Sequence, residues 1–233
     1  IYSDHRFAYE DVQEILEKKE GIYEPELTAI NNIAKTLRKD RLKSGSIAFE
    51  KTEVKFKLSD DKKPVDVFFK IQKDAHKLIE EFMLLANKAV ALKVGKKEKT
   101  GDHAKTFVYR IHDMPDPTKL KDFADFIKRF GYRVDLNTPQ NIATSINELL
   151  VKIKGKPEQN IIEMLAIRSM AKAEYSTNNI GHFGLAFPFY SHFTSPIRRY
   201  PDMMAHRMLF SYLNNGPSES IDTIDKLCKH SSL

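Results

Sequence analysis

Cysteine and long apolar runs are scarce in this sequence of 233 residues, and each shortage excludes a class of protein. Cys228 is the single cysteine, which excludes an internal disulfide and predicts a reducing, cytoplasmic compartment. No apolar run approaches the roughly 18 residues that a membrane helix needs, so we expect no membrane partner. The first residues also show no charged-then-apolar secretory pattern.

Several catalytic motifs are absent as well. The sequence contains no glycine-rich phosphate loop, no Gly-x-Ser-x-Gly elbow and no Cys/His nucleophile pair. Asp60-Asp61 lies in a lysine-flanked turn, and Asp122 and Asp125 lie on a predicted exposed helix face. Neither pair resembles a carboxylate cluster that holds two metal ions, so we predict no metal ligands in this chain.

The charge balance is basic. Lysine and arginine number 38 against 32 aspartate and glutamate, which gives a net charge of +6 and an isoelectric point near 9.1. A basic surface attracts polyanions, nucleic acids first among them. A solvated surface with no such partner has the same composition, so charge alone leaves both interpretations open.

Helical periodicity outweighs the two-residue period of strands. It predicts helices over 25–42, 74–93, 120–130 and 157–172. It also predicts a helix that closes at Gly21, one that begins at Thr138-Pro139, one that ends at Leu213, and a last one that runs up to Leu233. Alternation predicts strands over 1–8, 107–111 and 183–187, and a hairpin of 54–58 with 65–71. The lysine-rich segment 96–101 is predicted to be a loop. Because strands and helices do not alternate strictly, the fold class expected is α+β with short, mainly antiparallel strands.

The segment around the consecutive residues Arg198 and Arg199 is the strongest candidate for a phosphate-binding site. Ser195-Pro196 has the form of a helix N-cap followed by proline in the first turn. Arg198 and Arg199 would then lie beside free backbone amides, an arrangement suited to phosphate. The alternatives are a surface loop in which the arginines are solvated or paired with Asp202, and a helix that begins near Tyr200. Nearby aromatic side chains could stack on bases, although most are expected to be core.

Two further pairs of polar residues lie on predicted helices, where each needs either a structural partner or a functional role. Asp202 and His206 lie four residues apart on one helix face and could ligate zinc together with His182 or His192 upstream. A hydrogen-bonded structural pair is favoured, because neither a cysteine nor a diagnostic spacing supports a metal site. Glu80 and Glu81 lie among apolar residues of one helix, so one of them must avoid solvent. His76 or Lys77 is the expected partner of Glu81, and Asn87 lies on the same face as Glu80.

These motifs together resemble the RNB catalytic domain of the RNase II/RNase R exoribonucleases, closest to the RNase R branch. The resemblance covers essentially the whole chain. It is carried by His5-Arg6-Phe7-Ala8-Tyr9, Glu80-Glu81-Phe82-Met83-Leu84-Leu85-Ala86-Asn87, Tyr109-Arg110-Ile111-His112-Asp113-Met114-Pro115, Tyr175-Ser176, Gly181-His182-Phe183-Gly184-Leu185-Ala186 and His192-Phe193-Thr194-Ser195-Pro196-Ile197-Arg198-Arg199-Tyr200.

The resemblance implies a processive 3′→5′ exoribonuclease that hydrolyses RNA to nucleoside 5′-monophosphates with Mg²⁺. It assigns contact with the scissile phosphate to Arg198, stacking on 3′-terminal bases to Phe49, and positioning of the last nucleotides to Tyr9 and either Glu80 or Glu81. Further expected contacts to single-stranded RNA are Asn87, His182, Ser195, Arg199 and Tyr200.

The departure from the family pattern is equally informative. The family's Mg²⁺ ions are held by an aspartate cluster in the N-terminal part of the RNB domain, and this chain has no such cluster. We therefore expect residues 1–233 to be a partial RNB domain without flanking OB-fold domains, inactive alone and self-associating through the surface that truncation exposes. The alternative is a single-stranded RNA-binding module with no catalytic activity. An interaction scaffold has no specific feature in its favour.

Overall fold

Helices dominate the computed structural model, which describes residues 2–49, 53–70, 72–96 and 105–233. The eight α-helices in this described part are α1 (Tyr9–Lys18), α2 (Glu24–Lys43), α3 (Asp74–Gly95), α4 (Pro117–Lys128), α5 (Pro139–Ile153), α6 (Gln159–Ser169), α7 (Tyr200–Leu213) and α8 (Ile221–His230). In the same residues, no helix is both long and apolar enough to cross a membrane.

Capping residues fix where several helices begin. The carboxylate of Asp116 accepts hydrogen bonds from the backbone amides of Thr118 (2.8 Å) and Lys119 (3.2 Å), at the start of α4. The hydroxyl of Thr138 accepts from the amide of Asn141 (3.1 Å) at the start of α5. Both helices have proline in the first turn, where no amide hydrogen is needed. The start predicted at Thr138-Pro139 is therefore confirmed.

The described strands form two separate antiparallel pairs. The first pair is the predicted hairpin of β1 (Glu53–Leu58) and β2 (Pro64–Lys70), in which Phe56 lies opposite Val67. The second pairs β3 (Tyr109–Ile111) with β4 (Glu174–Ser176) across a long sequence separation. Two small sheets beside eight helices confirm the α+β class.

The chain divides into two compact units. The first unit comprises Ile1–Asp40 and Phe49–Phe82, and the second comprises Arg41–Ala48 and Met83–Leu233. In the second unit α8 packs on β4, while α4 and α5 pack on α6. One buried cluster of this unit contains Ala91, Phe107, Val108, Tyr109, Ile111, Tyr175, Met204, Ala205, Met208, Ile224 and Cys228.

Two predicted strands are wrong. Residues 2–8 contain no strand, because no described segment pairs with them. In place of the strand over 183–187 there is one turn of 3₁₀ helix at Phe183–Leu185, followed by Ala186 in the left-handed region with φ 54°. Gly184 allows this turn to approach His112 closely, since its amide donates to the ring Nδ1 at 3.0 Å. Apart from Lys96, the predicted loop at 96–101 lies outside the described residues.

Candidate functional site

The segment of residues 191–199, here called the arginine loop, joins the core of the second unit to α7. Its helix does not begin at Ser195: the amides of Arg198 and Arg199 bond to the Ser195 carbonyl at 3.3 and 3.1 Å, which closes a turn, and α7 begins at Tyr200. The predicted N-cap at Ser195 is therefore wrong, and the alternative start near Tyr200 is confirmed. Pro201 explains the difference, because its ring fits the first turn of a helix but not its interior.

Asp202 fastens one end of the arginine loop to α7. Its side chain has no exposed area. One carboxylate oxygen, Oδ1, accepts from the Ser195 amide and from Nη2 of Arg199, both at 2.8 Å. The other oxygen, Oδ2, lies 2.8 Å from Nε of Arg199. A buried carboxylate requires such compensation, so Asp202 and Arg199 form a desolvated, two-point ion pair.

Asn87 on α3 fastens the other end of the arginine loop. Its side-chain carbonyl accepts from the amides of Phe193 (2.9 Å) and Thr194 (3.2 Å). Its amide nitrogen donates to the hydroxyl of Tyr190 at 3.1 Å. Asn87 is 3% exposed, so its bond to Tyr190 is buried and its two bonds to the loop amides are partly buried. The side chain replaces the backbone partners that an irregular loop lacks.

Two further side chains fix the same loop. Nε2 of His206 lies 2.8 Å from the Phe193 carbonyl, and the His206 ring stacks on the Phe193 ring at 3.9 Å. The hydroxyl of Ser191 donates to the carbonyl of Val108 at 2.6 Å. Asp202 and His206 thus both bind the loop, in agreement with a structural role and not with zinc ligation.

Arg198 differs from all of these residues because its side chain is exposed. Its Nη2 donates to the Ser195 hydroxyl at 3.3 Å. Arg198 lines an open depression of about 610 Å³, whose lining also includes Tyr175, Arg199, Tyr200 and His230. An exposed cation beside aromatic side chains suits a phosphate that carries a base.

Two histidines, His182 and His192, are held neutral by burial. Burial lowers the pKa of His182 to about 3, with a further contribution from His112. Burial also lowers the pKa of His192 to about 4, and the positive charges of Arg199 and Arg110 act in the same direction. Nδ1 of His192 lies within hydrogen-bond distance of the Tyr175 hydroxyl, at 2.7 Å. These rings therefore contribute hydrogen bonds and packing rather than positive charge at neutral pH.

The first unit contains the remaining predicted residues. Tyr9 is 43% exposed and stacks on His76 with 4.3 Å between ring centroids and 9° between planes. His76 and Glu80 are one turn apart on α3, so Tyr9, His76 and Glu80 form what we call the Tyr9 site. Phe49 and Glu80 are half-buried.

Glu81 is the carboxylate that avoids solvent, with 3% of its side chain exposed. An oxygen of Glu81 lies 3.8 Å from Nη1 of Arg38 on α2. This neighbouring cation is an arginine from another helix. The prediction that His76 or Lys77 pairs with Glu81 stays a prediction. Helix periodicity identified the buried position but not a partner 43 residues away, since 81 − 38 = 43.

Acidic and histidine side chains do not gather into a metal site in the described residues, where no three His, Cys, Asp or Glu residues are grouped to hold an ion. Asp202 and His206 are already bound to the arginine loop. The described part of the chain thus does not fit Mg²⁺. The prediction that Mg²⁺ is held by residues outside this sequence stays a prediction.

Comparison with known proteins gives the family. The model of the RNB domain matches residues 1–215. The chain belongs to the RNB family. The Ribonuclease R of Thermotoga maritima is 39% identical to this RNB chain over 236 residues, and that of Vibrio parahaemolyticus is 38% identical over 213. These alignments cover 98% and 89% of the RNB chain but 32% and 25% of the relatives, so it spans a third or less of their length. The predicted family is confirmed.

Solved structures agree with this assignment. The RNB chain resembles Mycoplasma genitalium RNase R in complex with ribose methylated single-stranded RNA, with a TM-score of 0.83 and 26% identity over 97% of this chain and 36% of that one. It also shares its fold with a yeast pseudonuclease, with a TM-score of 0.70 and 24% identity over 97% of this chain and 27% of that one. Because a pseudonuclease has this fold, the fold alone does not decide catalysis.

Sequence reasoning missed several residues of the RNB site. The hydroxyls of Tyr190 and Tyr175 contact Asn87 and His192, a role that the sequence does not predict for either tyrosine. His76 was considered only as a partner of Glu81, although it carries the Tyr9 ring. The four-residue spacing between His76 and Glu80 was the available signal that the two side chains lie on the same face of α3. Nothing local in the sequence indicated the long-range bonds of the two tyrosines.

Proposed function

We propose that this chain is the RNA-holding part of an RNase R-like enzyme that degrades RNA from its 3′ end to nucleoside 5′-monophosphates. Three observations support the proposal: membership of the RNB family, similarity to an RNase R solved with single-stranded RNA, and the geometry of the arginine loop. Reducing conditions suit the single cysteine, so we also propose that the enzyme acts in the cytoplasm.

The exposed Arg198 carries the proposal. In phosphodiester hydrolysis, water attacks phosphorus, the bond to the leaving O3′ breaks, and negative charge increases on the oxygens of the phosphoryl group. A guanidinium held in advance beside that phosphate stabilises this charge without reorganising in the reaction. Arg198 meets the requirement because Asp202, Asn87 and His206 fix its loop. Mg²⁺ bound by residues outside this sequence would supply Lewis-acid chemistry.

Base contacts are assigned to exposed or half-buried aromatic side chains. Tyr9 offers a ring face already supported by His76, and Phe49 is half-buried. Stacking tolerates any base, as degradation of unspecified RNA demands. Tyr200 and the Ser195 hydroxyl border Arg198 and are proposed as RNA contacts beside it. Glu80 or Glu81 is proposed to position the last nucleotides.

Labelled RNA tests the proposal. We would incubate the chain, and separately the intact enzyme, with Mg²⁺ and single-stranded RNA labelled at either end. The intact enzyme should release the 3′ label first as a mononucleotide and keep the 5′ label on progressively shorter RNA. Circular RNA of the same sequence should stay intact. This chain alone should bind the linear RNA without releasing nucleotides.

Other outcomes would contradict the proposal in specific ways. Internal fragments, or cleavage of circular RNA, would indicate an endonuclease. RNA bound but never hydrolysed by the intact protein would support the alternative of a non-catalytic RNA-binding module. Release of monophosphates by this chain alone would show that its own carboxylates bind the metal, against the prediction of inactivity.

A further inference from the structure

Arg198 and Arg199 are adjacent in sequence but have opposite surroundings. Arg198 is exposed and bonds to the neutral hydroxyl of Ser195. Arg199 has a side chain only 20% exposed, and it directs Nε and Nη2 to the fully buried Asp202. The charge of Arg199 is therefore compensated, whereas no acidic side chain is paired with Arg198 in the described residues.

The ion pair is also placed to control where Arg198 points. Asp202 Oδ1 binds the Ser195 amide and the Arg199 guanidinium at once. These two residues are the ends of the turn that carries Arg198. A single carboxylate thus fixes both ends of the turn to the first turn of α7. Because Asp202 is desolvated, these bonds are not weakened by exchange with water.

We propose that Asp202 and Arg199 are positioning residues, whose ion pair aims Arg198 at the RNA phosphate while Arg199 itself does not bind RNA. The inference rests on the proposed function, in which Arg198 contacts the phosphate. It replaces the expectation that both arginines bind RNA with a division of roles. Misplacing a catalytic group by about 1 Å can cost about a hundredfold in rate, so the pair matters even without touching RNA.

Asp202→Asn in the intact enzyme distinguishes a positioning role of Arg199 from an RNA-binding role, because only the RNA-binding role predicts tighter RNA binding. Asparagine keeps the shape and still accepts from Ser195, but loses the charge that holds Arg199. We expect kcat to fall by about tenfold to a hundredfold while the Kd for RNA changes little. If Arg199 were an RNA contact restrained by Asp202, the same change would release it and tighten RNA binding, which would overturn the proposal.

Asp225→Asn is the matched control, because it removes the same charge from a helical ion pair away from the arginine loop, in which half-buried Asp225 lies 2.8 Å from exposed Lys229. Its kcat should stay at the unmodified value. The double variant Arg198→Ala/Asp202→Asn should be less than about twofold slower than Arg198→Ala alone, since both changes act through one group. Multiplying effects would mean that Asp202 acts independently of Arg198, against the proposal.

A second measurement does not need Asp202 to be altered. On single strands, each phosphate contact contributes about 0.7 to the slope of log Kd against log salt concentration. Arg198→Gln should lower this slope by about 0.7. In the Arg198→Gln background, adding Arg199→Gln should change the slope no more than adding the exposed control Arg168→Gln. A further loss of about 0.7 from Arg199→Gln in that background would overturn the positioning role. No loss in Arg198→Gln would instead contradict the proposed function.

Discussion

The arginine loop and the Tyr9 site hold their exposed groups by different physical means. In the loop, Asn87, Asp202, His206 and Ser191 form directed hydrogen bonds at fixed distances of 2.6–3.2 Å. At the Tyr9 site, a tyrosine ring lies flat on His76 at 4.3 Å. Directed bonds fix a position closely, whereas stacked rings slide at small energetic cost.

This difference matches the two tasks proposed for the regions. A cation that stabilises a transition state must be placed within fractions of an ångström, and a network of buried bonds provides that. A ring that supports successive bases of a moving strand must tolerate each of them, and stacking provides that. Substitutions in the loop should therefore affect turnover and stability, and substitutions at the Tyr9 site should affect RNA affinity.

Arg198→Ala in the intact enzyme is the sharpest test of this comparison and has the largest expected effect on activity. Loss of one preorganised donor to a developing oxyanion costs about a hundredfold to a thousandfold in kcat. The Kd for RNA should rise far less, because other contacts remain. Single-turnover kinetics with labelled RNA, beside binding by fluorescence anisotropy, measures both quantities. Equal losses in kcat and affinity would reduce Arg198 to a binding contact.

Local patterning in the sequence predicted the parts of the fold that local forces determine. The period of apolar residues located α2, α3 and the hairpin, and Thr138-Pro139 marked the start of α5. The error at Ser195 has a different origin. Its amide is bonded to the buried carboxylate of Asp202, and Ser-Pro alone does not show whether a side chain seven residues later will reach back. The contrasting surroundings of Arg198 and Arg199 are likewise tertiary.

Asn87→Leu tests whether the arginine loop depends on its network. Leucine is similar in size but leaves the amides of Phe193 and Thr194 and the hydroxyl of Tyr190 without their partner. Each buried polar group left unpaired costs about 1–3 kcal/mol. Three groups lose their partner and two of them are only partly buried, so we expect a total loss of about 3–5 kcal/mol in the free energy of unfolding. Urea denaturation of this chain measures the loss. Ile79→Leu, at a half-exposed position of the same helix, is the control that should change stability little.

Tyr9→Ala tests the other side of the comparison. Removing a stacking ring should weaken RNA binding by about 1–3 kcal/mol, since one base loses its platform. Tyr9→Phe keeps the ring and should bind as the unmodified protein does. Fluorescence anisotropy with a single-stranded RNA gives both affinities. A deficit in Tyr9→Phe equal to that in Tyr9→Ala would show that the hydroxyl, not the ring face, makes the contact.

Acid should lower the free energy of unfolding through the buried histidines around the arginine loop. This effect is expected to be the smallest of the four predictions. Burial lowers the pKa of His182 to about 3 and of His192 to about 4, below the ordinary value near 6.5. The unfolded chain therefore binds protons that the folded chain does not as the pH falls below about 6.5. Stability is constant above that pH and declines toward pH 4.

Between pH 7 and 5, each histidine should reduce the free energy of unfolding by about 1–2 kcal/mol. His192→Gln removes one titrating ring while keeping a side chain able to bond to the Tyr175 hydroxyl. Its decline over this pH range should therefore be smaller than that of the unmodified chain, in urea denaturation at both pH values. His5→Gln, at an exposed position, should keep the full decline. An equal decline in all three proteins would mean that the acid sensitivity arises away from the arginine loop, and the loop's neutral histidines would then not distinguish it from the Tyr9 site.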